Sequence, residues 1–290
     1  YPRKEYIKEG DNWSVINALP FSTAKAQSVE QTFSQMACGI RFIENNKYRL
    51  FFNRDGSIKA LFEKATNRNF AGKHLNRLTV YKDKKTFYNA WDIDINYTKR
   101  LKRYFRLVSF ENILDGATVI RRSNYKYNKS TIVQDVILKY DCDIIEFKTQ
   151  VDWQETHKML RADFRPSFFA DKVTCNIQWG NIERSTKTDN LIDYAQHEIC
   201  AHKFVYVEEA KRGFALLNDS KYGHRVKDGL ISLNLLRSPV YPDETADKGV
   251  HNFSYAVFAK SGISINDVTE KAYIFNNPLT ATDYNIDIFN

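Results

Sequence analysis

Apolar and polar residues alternate at period two through most of the chain, and the clearest case runs from 145 to 153. There Ile145, Phe147, Thr149, Val151 and Trp153 alternate with Glu146, Lys148, Gln150 and Asp152, a pattern that predicts a strand with one dry face and one wet face. Val173-Cys175-Ile177-Trp179, Phe253-Tyr255-Val257, and Ile132-Val136-Leu138 around the more polar Gln134 repeat it. The continuous runs Phe204–Val207 and Phe214–Leu217 predict strands buried on both faces. Asp55-Gly56 separates Tyr48–Phe52 from Ile58–Phe62 and predicts a hairpin, because Asp-Gly tolerates the positive φ angles of a type I′ turn. Asp115-Gly116 and Asp228-Gly229 repeat the device. No helical periodicity sustained over twelve residues emerges, and Leu191–His197 is the one short helical candidate. The expected fold is all-β, with two large antiparallel sheets facing each other and helix as a minor component.

A boundary is expected between residues 26 and 38, where the polar stretch Gln27–Thr32 follows the strand-like Trp13–Pro20. This divides the chain into a small β segment or linker (1–35) and a large sandwich (36–290). The polar opening Tyr1-Pro2-Arg3-Lys4-Glu5 lacks both Met and an apolar signal region, so the natural start is expected upstream. The end, with Ile286-Asp287-Ile288-Phe289 and no polar tail, suggests that more chain follows.

At 290 residues, with 43% apolar and 27% charged residues and only 11 Gly and 6 Pro, the chain is neither a mini-protein nor disordered. Its aromatic share, 14%, suits strands and carbohydrate-facing surfaces. Lys plus Arg 43 against Asp plus Glu 35 gives +8. The bases are scattered in short interrupted runs such as Lys82-Asp83-Lys84-Lys85 and Arg121-Arg122, which reads as solvated strand faces and not a nucleic-acid footprint. No 18-residue apolar stretch exists, so no membrane partner is expected. Cys38, Cys142, Cys175 and Cys200 lie far apart without a C-x-x-C pair, and buried free thiols in a reducing, cytoplasmic setting are expected.

The six histidines show no metal-ligand spacing, and His197 and His202 would fall on opposite faces of a strand. Serine-hydrolase, P-loop and dinucleotide signatures are missing. Asp92-x-Asp94 stands beside Trp91; on a strand the two carboxylates would share a face and accept sugar hydroxyls next to an aromatic platform, or form a plain acidic strand face. Arg237 sits where a strand runs out into Ser238–Asp243, where it can aim at a hydroxyl or carboxylate or remain a surface cation, with Tyr241 and Asp243 in reach. Glu155 and His157 would share a strand face, though no nucleophile accompanies them and a structural role is favoured.

Three blocks carry a resemblance. Asn89-Ala90-Trp91-Asp92-Ile93-Asp94 is similar to D-A-W-D-I-D, with Asn89 replacing the first Asp. Lys129–Asp135 and Val151–Leu160 resemble S-x-I-x-Q and D-W-x-E-x-H-K-x-L, and Gly213–Gly223 with Leu235–Pro239 forms the third block. Together they span roughly residues 38 to 260 and resemble the C-terminal region of glycoside hydrolase family 38, the α-mannosidases, especially bacterial members. The resemblance implies a supersandwich of the galactose-mutarotase-like kind. It also implies an upstream α/β barrel of the same polypeptide that holds zinc on His and Asp ligands and carries the Asp nucleophile of a retaining mechanism. This chain would then supply no catalytic residue and no metal ligand, and would be inactive alone. It would act on α-mannoside glycans as part of the intact enzyme, with Trp91 and Arg237 at the aligned rim positions for an aromatic and an Arg, and with homo-oligomers allowed. An independent carbohydrate-binding module is the alternative, and a sugar epimerase a third.

Overall fold

The computed structural model describes residues 1–9, 11–20, 22–29, 33–83 and 89–279. The Lys84-Lys85 pair, the end of the Gln27–Thr32 stretch and the Ile286–Phe289 terminus lie outside the described residues.

Among the described residues all strand pairings are antiparallel, and they build one nine-stranded sheet, one of six, one of five and one of three. The nine-stranded sheet runs Arg106–Asp115, Thr118–Tyr127, Ser130–Lys139, Ile145–Trp153, Gly249–Ser261, Arg212–Asn218, Phe204–Glu209, Lys172–Ile177 and Gly180–Ser185. The six-stranded sheet runs Lys102–Tyr104, Arg77–Lys82, Lys158–Phe164, Leu230–Arg237, Gly223–Lys227 and Ile199–Cys200. The five-stranded sheet spans Ala37 to Asn69, and isolated bridges join Ile58 to Leu75 and Ala71 to Pro166.

The alternation read at 145–153 is realised: Ile145, Phe147, Val151 and Trp153 are fully buried, while Lys148 and Gln150 are exposed. They join one apolar core with Leu50, Leu61, Val80, Leu160 and Leu233 from the opposing sheets, which makes the molecule a two-layer sandwich. Gln134, polar in an apolar strand, is buried in that core without being orphaned. Asn76 donates to its Oε1 at 2.7 Å; its Nε2 donates to Thr149 Oγ1 at 2.9 Å and to the Tyr255 hydroxyl at 2.8 Å, which donates to Asn76 Oδ1 at 2.6 Å. A closed network of this kind removes the cost of burying four polar groups and pins the two layers in one register.

Three expectations are corrected. A twelve-residue helix, Ile265–Asn276, packs Val268 and Ala272 on Phe204, Ala215, Leu217 and Phe258, which is why the runs at 204–207 and 214–217 are buried on both faces. Its start is marked by a Ser264–Asp267 capping box. Of the three Asp-Gly pairs, only Asp228-Gly229 forms a two-residue turn with both φ angles positive, 56° and 66°, between paired Lys227 and Leu230. At Asp55-Gly56 the loop is longer: the Gly56 amide donates to the Asn53 carbonyl at 3.1 Å, and of the two only Gly56 has positive φ. The strand from Val173 stops at Ile177, and Trp179 stands fully exposed in the hairpin turn.

The short candidate at 191–197 is a helix over Leu191–Ala195. All four cysteines are free, but only Cys175 is buried; Cys200 is exposed because its two-residue strand closes the edge of its sheet. No helix among the described residues is long and apolar enough to cross a membrane.

Candidate functional site

The strand Leu230–Arg237 ends beside the strand Lys158–Phe164, and Arg237 pairs with Met159. This register carries the Arg237 guanidinium to the end of its strand, where Arg77–Lys82 also ends and hands over to Asp83. Arg237 Nε donates to Asp83 Oδ2 at 2.8 Å, and Nη2 donates to the Asp92 carbonyl. Its backbone N–H donates to Asp247 Oδ2 at 2.8 Å, so a loop ten residues downstream folds back onto the strand end. Asp83 is 2% exposed, and the pair is therefore shielded from the solvent screening that makes surface ion pairs weak.

Trp91 and Tyr241 meet across this anchor, with ring centroids 6.1 Å apart and planes tilted by 49°. Trp91 is 65% exposed and Tyr241 40% exposed, so two broad aromatic surfaces face outward beside a fixed cation. Aromatic faces offer C–H and dispersion contact to a sugar ring, and a guanidinium offers directed donors to its hydroxyls. The Tyr241–Pro242 peptide bond is cis.

The structure thus brings together Trp91, Asp92 through its carbonyl, Arg237 and Tyr241. It does not bring Asp94 and Asp243 to the same work. Asp92 and Asp94 do not lie on a strand: residues 89–91 turn into the 3-10 segment Ile95–Lys99, and Asp94 is its N-cap. Asp94 accepts from the Asn96 amide at 2.8 Å and from Arg100. Asp243 is turned into its own loop, where the Thr245 amide and hydroxyl donate at 2.8 Å each and hold its carboxyl below the ordinary carboxylate range. The paired-carboxylate face expected from sequence is therefore not formed.

Glu155 and His157 also fail to share a strand face, since both lie in the loop between Trp153 and Lys158. Glu155 is buried under Ser130, Asn128 and Lys158. His157, with φ of 51°, places its Nδ1 3.2 Å from the Asn89 side-chain nitrogen, and its carbonyl accepts from the Asp83 amide at 2.8 Å. Asp83 and His157 are thus part of what holds the rim together, and sequence reading missed the first by treating it as an interruption in a basic run.

The loop that bears Trp91 is clamped from the far side. His197 Nε2 contacts the Ile93 carbonyl at 3.0 Å, and the Tyr97 hydroxyl donates to Glu198 at 2.6 Å. Glu198 receives both Nη groups of the fully buried Arg161 at 3.0 Å each, and Arg161 Nε donates to Ser232 Oγ at 2.9 Å. Among the described residues no group of three or more His, Cys, Asp or Glu is arranged to hold a metal ion.

Comparison with known proteins gives this geometry its context. Residues 43–245 match the model of the glycosyl hydrolases family 38 C-terminal domain. Alpha-mannosidase G of Dictyostelium discoideum is 33% identical over 259 residues, covering 83% of this chain and 23% of that protein. Human alpha-mannosidase 2C1 is 32% identical over 250 residues, covering 82% of this chain and 24% of that protein. The crystal structure of an alpha-mannosidase from Enterococcus faecalis V583 superposes with a TM-score of 0.71 over 96% of this chain and 38% of that chain, at 13% identity, and so shares the fold. The chain spans about a quarter of the length of the curated relatives it matches. With 43–245 covered by the family model and identity above 30% across most of its length, this chain belongs to glycosyl hydrolase family 38, and residues 43–245 are that family's C-terminal domain.

Proposed function

We propose that this chain is the sandwich wall of a retaining α-mannosidase acting on terminal α-mannosides, with the reacting carboxylates and any zinc carried by other sequence, including an upstream barrel. The observation that carries the reading is the guanidinium of Arg237, fixed between the Asp83 carboxylate and the Asp92 carbonyl beside the exposed Trp91–Tyr241 pair. A cation fixed in this way loses little conformational freedom when a hydroxyl meets it, which is what a specificity contact needs. The roles follow from position. Trp91 and Tyr241 present ring faces to the apolar faces of the sugar, Arg237 orients a hydroxyl at the mouth of the pocket, and Asp83 orients Arg237. Asp94 and Asp243 shape the two loops. Placement in the cytoplasm belongs to the same proposal and is supported by the four free thiols.

The test compares an aryl α-mannoside with the full-length protein and with the 290-residue chain, each with zinc added. Turnover by the full-length protein and none by the chain is expected. Robust turnover by the purified chain overturns the reading.

A second reading, an independent carbohydrate-binding module, is favoured by the exposure of Trp91 and Tyr241. Calorimetric titration of the chain with mannose oligosaccharides separates the two. Saturable binding that Trp91→Ala abolishes supports the module.

A further inference from the structure

The six-stranded sheet carries a second polar feature at the same end of the molecule. Arg103 pairs with Val80, and Lys82 pairs with Lys158. Residues two apart on a strand share a face, so Arg103, Lys82 and Lys158 project from one face of three neighbouring strands. With Tyr127, Thr156 and His157 they line a concave pocket of about 360 Å³, within the range of small-ligand sites.

The charges in this pocket are not balanced. Lys82 directly opposite Lys158 sets like charges at the shortest cross-strand spacing, which costs stability unless a counter-charge is present. Lys158 has one, the buried Glu155 carboxylate. Lys82 and Arg103 are both exposed, and neither has a carboxylate partner among the described residues; Arg103 Nη1 donates only to the Lys102 carbonyl at 3.3 Å. The larger cavity of about 850 Å³ beside the five-stranded sheet is also basic, but its cations are answered. There Lys47 and Lys260 pair with Asp143, and Arg49 and Lys64 with Glu44.

We propose that the pocket of Lys82, Arg103 and Lys158 binds an anionic group, phosphate, sulfate or carboxylate, carried on the glycan substrate. The Arg103 fork and the Lys82 ammonium supply charge-assisted donors for an oxyanion, and the hydroxyls of Thr156 and Tyr127 complete the set. The pocket joins the candidate rim through His157, whose ring contacts Asn89 at the start of the Trp91 turn and whose carbonyl accepts from Asp83. Only the identity of the carrier rests on the mannosidase reading; the anion site rests on the strand register, the concave pocket and the charge balance of its cations.

Inorganic phosphate and sulfate, titrated by calorimetry into the full-length protein and into the 290-residue chain, test the proposal. Saturable binding to both is expected, weakening as salt is raised, and weakening by about tenfold in the Lys82→Gln/Arg103→Gln variant. Both substituted residues are exposed, and circular dichroism confirms that the variant is folded. Binding that is absent, or unchanged in the variant, overturns the site. Binding to the chain but not to the full-length protein also overturns it, because an acidic part of the remaining polypeptide then occupies the pocket. Turnover of a neutral aryl α-mannoside by the full-length protein is measured in parallel. Turnover without phosphate binding defeats the anion site and spares the mannosidase reading; phosphate binding without turnover does the reverse.

Discussion

Arg237 Nε lies 2.8 Å from the Asp83 carboxylate, and the same guanidinium reaches the Asp92 carbonyl from a separate nitrogen. One side chain therefore ties the end of the strand at 230–237 to the end of the strand at 77–82 and to the turn that bears Trp91. A lysine keeps the charge but has no planar fork, so it satisfies one partner at a time. Arg237→Lys in the full-length protein is expected to cost about 1 kcal/mol of substrate binding, roughly a fivefold rise in KM. Steady-state kinetics on an aryl α-mannoside check this. Unaltered KM and kcat would remove Arg237 from the rim.

Trp91 contributes surface and little packing, since it is 65% exposed. Trp91→Ala is expected to leave the unfolding midpoint within about 0.5 kcal/mol of the parent, while glycan affinity in the full-length protein falls by about 1 kcal/mol. Denaturant titration and a binding isotherm measured side by side separate the two effects. A large stability loss with intact affinity would make Trp91 a packing residue.

The pair of buried Arg161 and half-buried Glu198 holds the segments at 89–100 and 191–200 onto the six-stranded sheet. Arg161→Met strands the Glu198 carboxylate against the Tyr97 hydroxyl and is expected to cost about 3 kcal/mol. The double variant Arg161→Met/Glu198→Leu is expected to recover part of that loss, because replacing both charges removes the desolvation penalty. A double-mutant cycle in urea decides it, and additive losses would show that the two residues are not coupled.

His224 is fully buried, and desolvation first, with the nearby Arg161 cation adding to it, lowers its pKa to about 4. His74 is lowered to about 4 as well, again chiefly by burial and then by Arg77. Each is neutral in the folded protein at a pH where the unfolded chain takes up a proton. Stability is therefore fully present above about pH 6.5 and is lost as pH falls toward about 4, by up to roughly 1.4 kcal/mol per pH unit for each histidine. Urea midpoints measured from pH 7.5 down to pH 4.5 check the slope. His224→Gln is expected to flatten it, and an unchanged slope in that variant would show that His224 is not the titrating group.

Much of the fold was legible because a strand's two faces are written locally. Ile145 to Trp153 specify one buried face by alternation alone, and Asp228-Gly229 specify their turn by the positive φ that both tolerate. The helix at 265–276 was not legible from periodicity, because it buries only Val268 and Ala272 deeply and so shows a thin apolar stripe; its capping box was the available signal. Of the candidate site, the residue types were legible and their company was not. Trp91 stands far along the chain from the neighbouring Arg237 and Tyr241, and nothing local says that the two segments converge.

The sequence by itself determined the period-two patterning, the family blocks and the all-β class, because each depends on neighbours a few residues apart. Tertiary structure alone decided that Asp92 contributes a carbonyl, that Asp94 caps a turn, and that Asp83 orients Arg237. Those outcomes depend on which strand ends meet, and that is fixed by the register of pairings between residues up to about 110 apart in sequence, as for Ile145 and Val257. The register in turn follows from burying one continuous core between the two layers, a property of the whole chain and of no single segment.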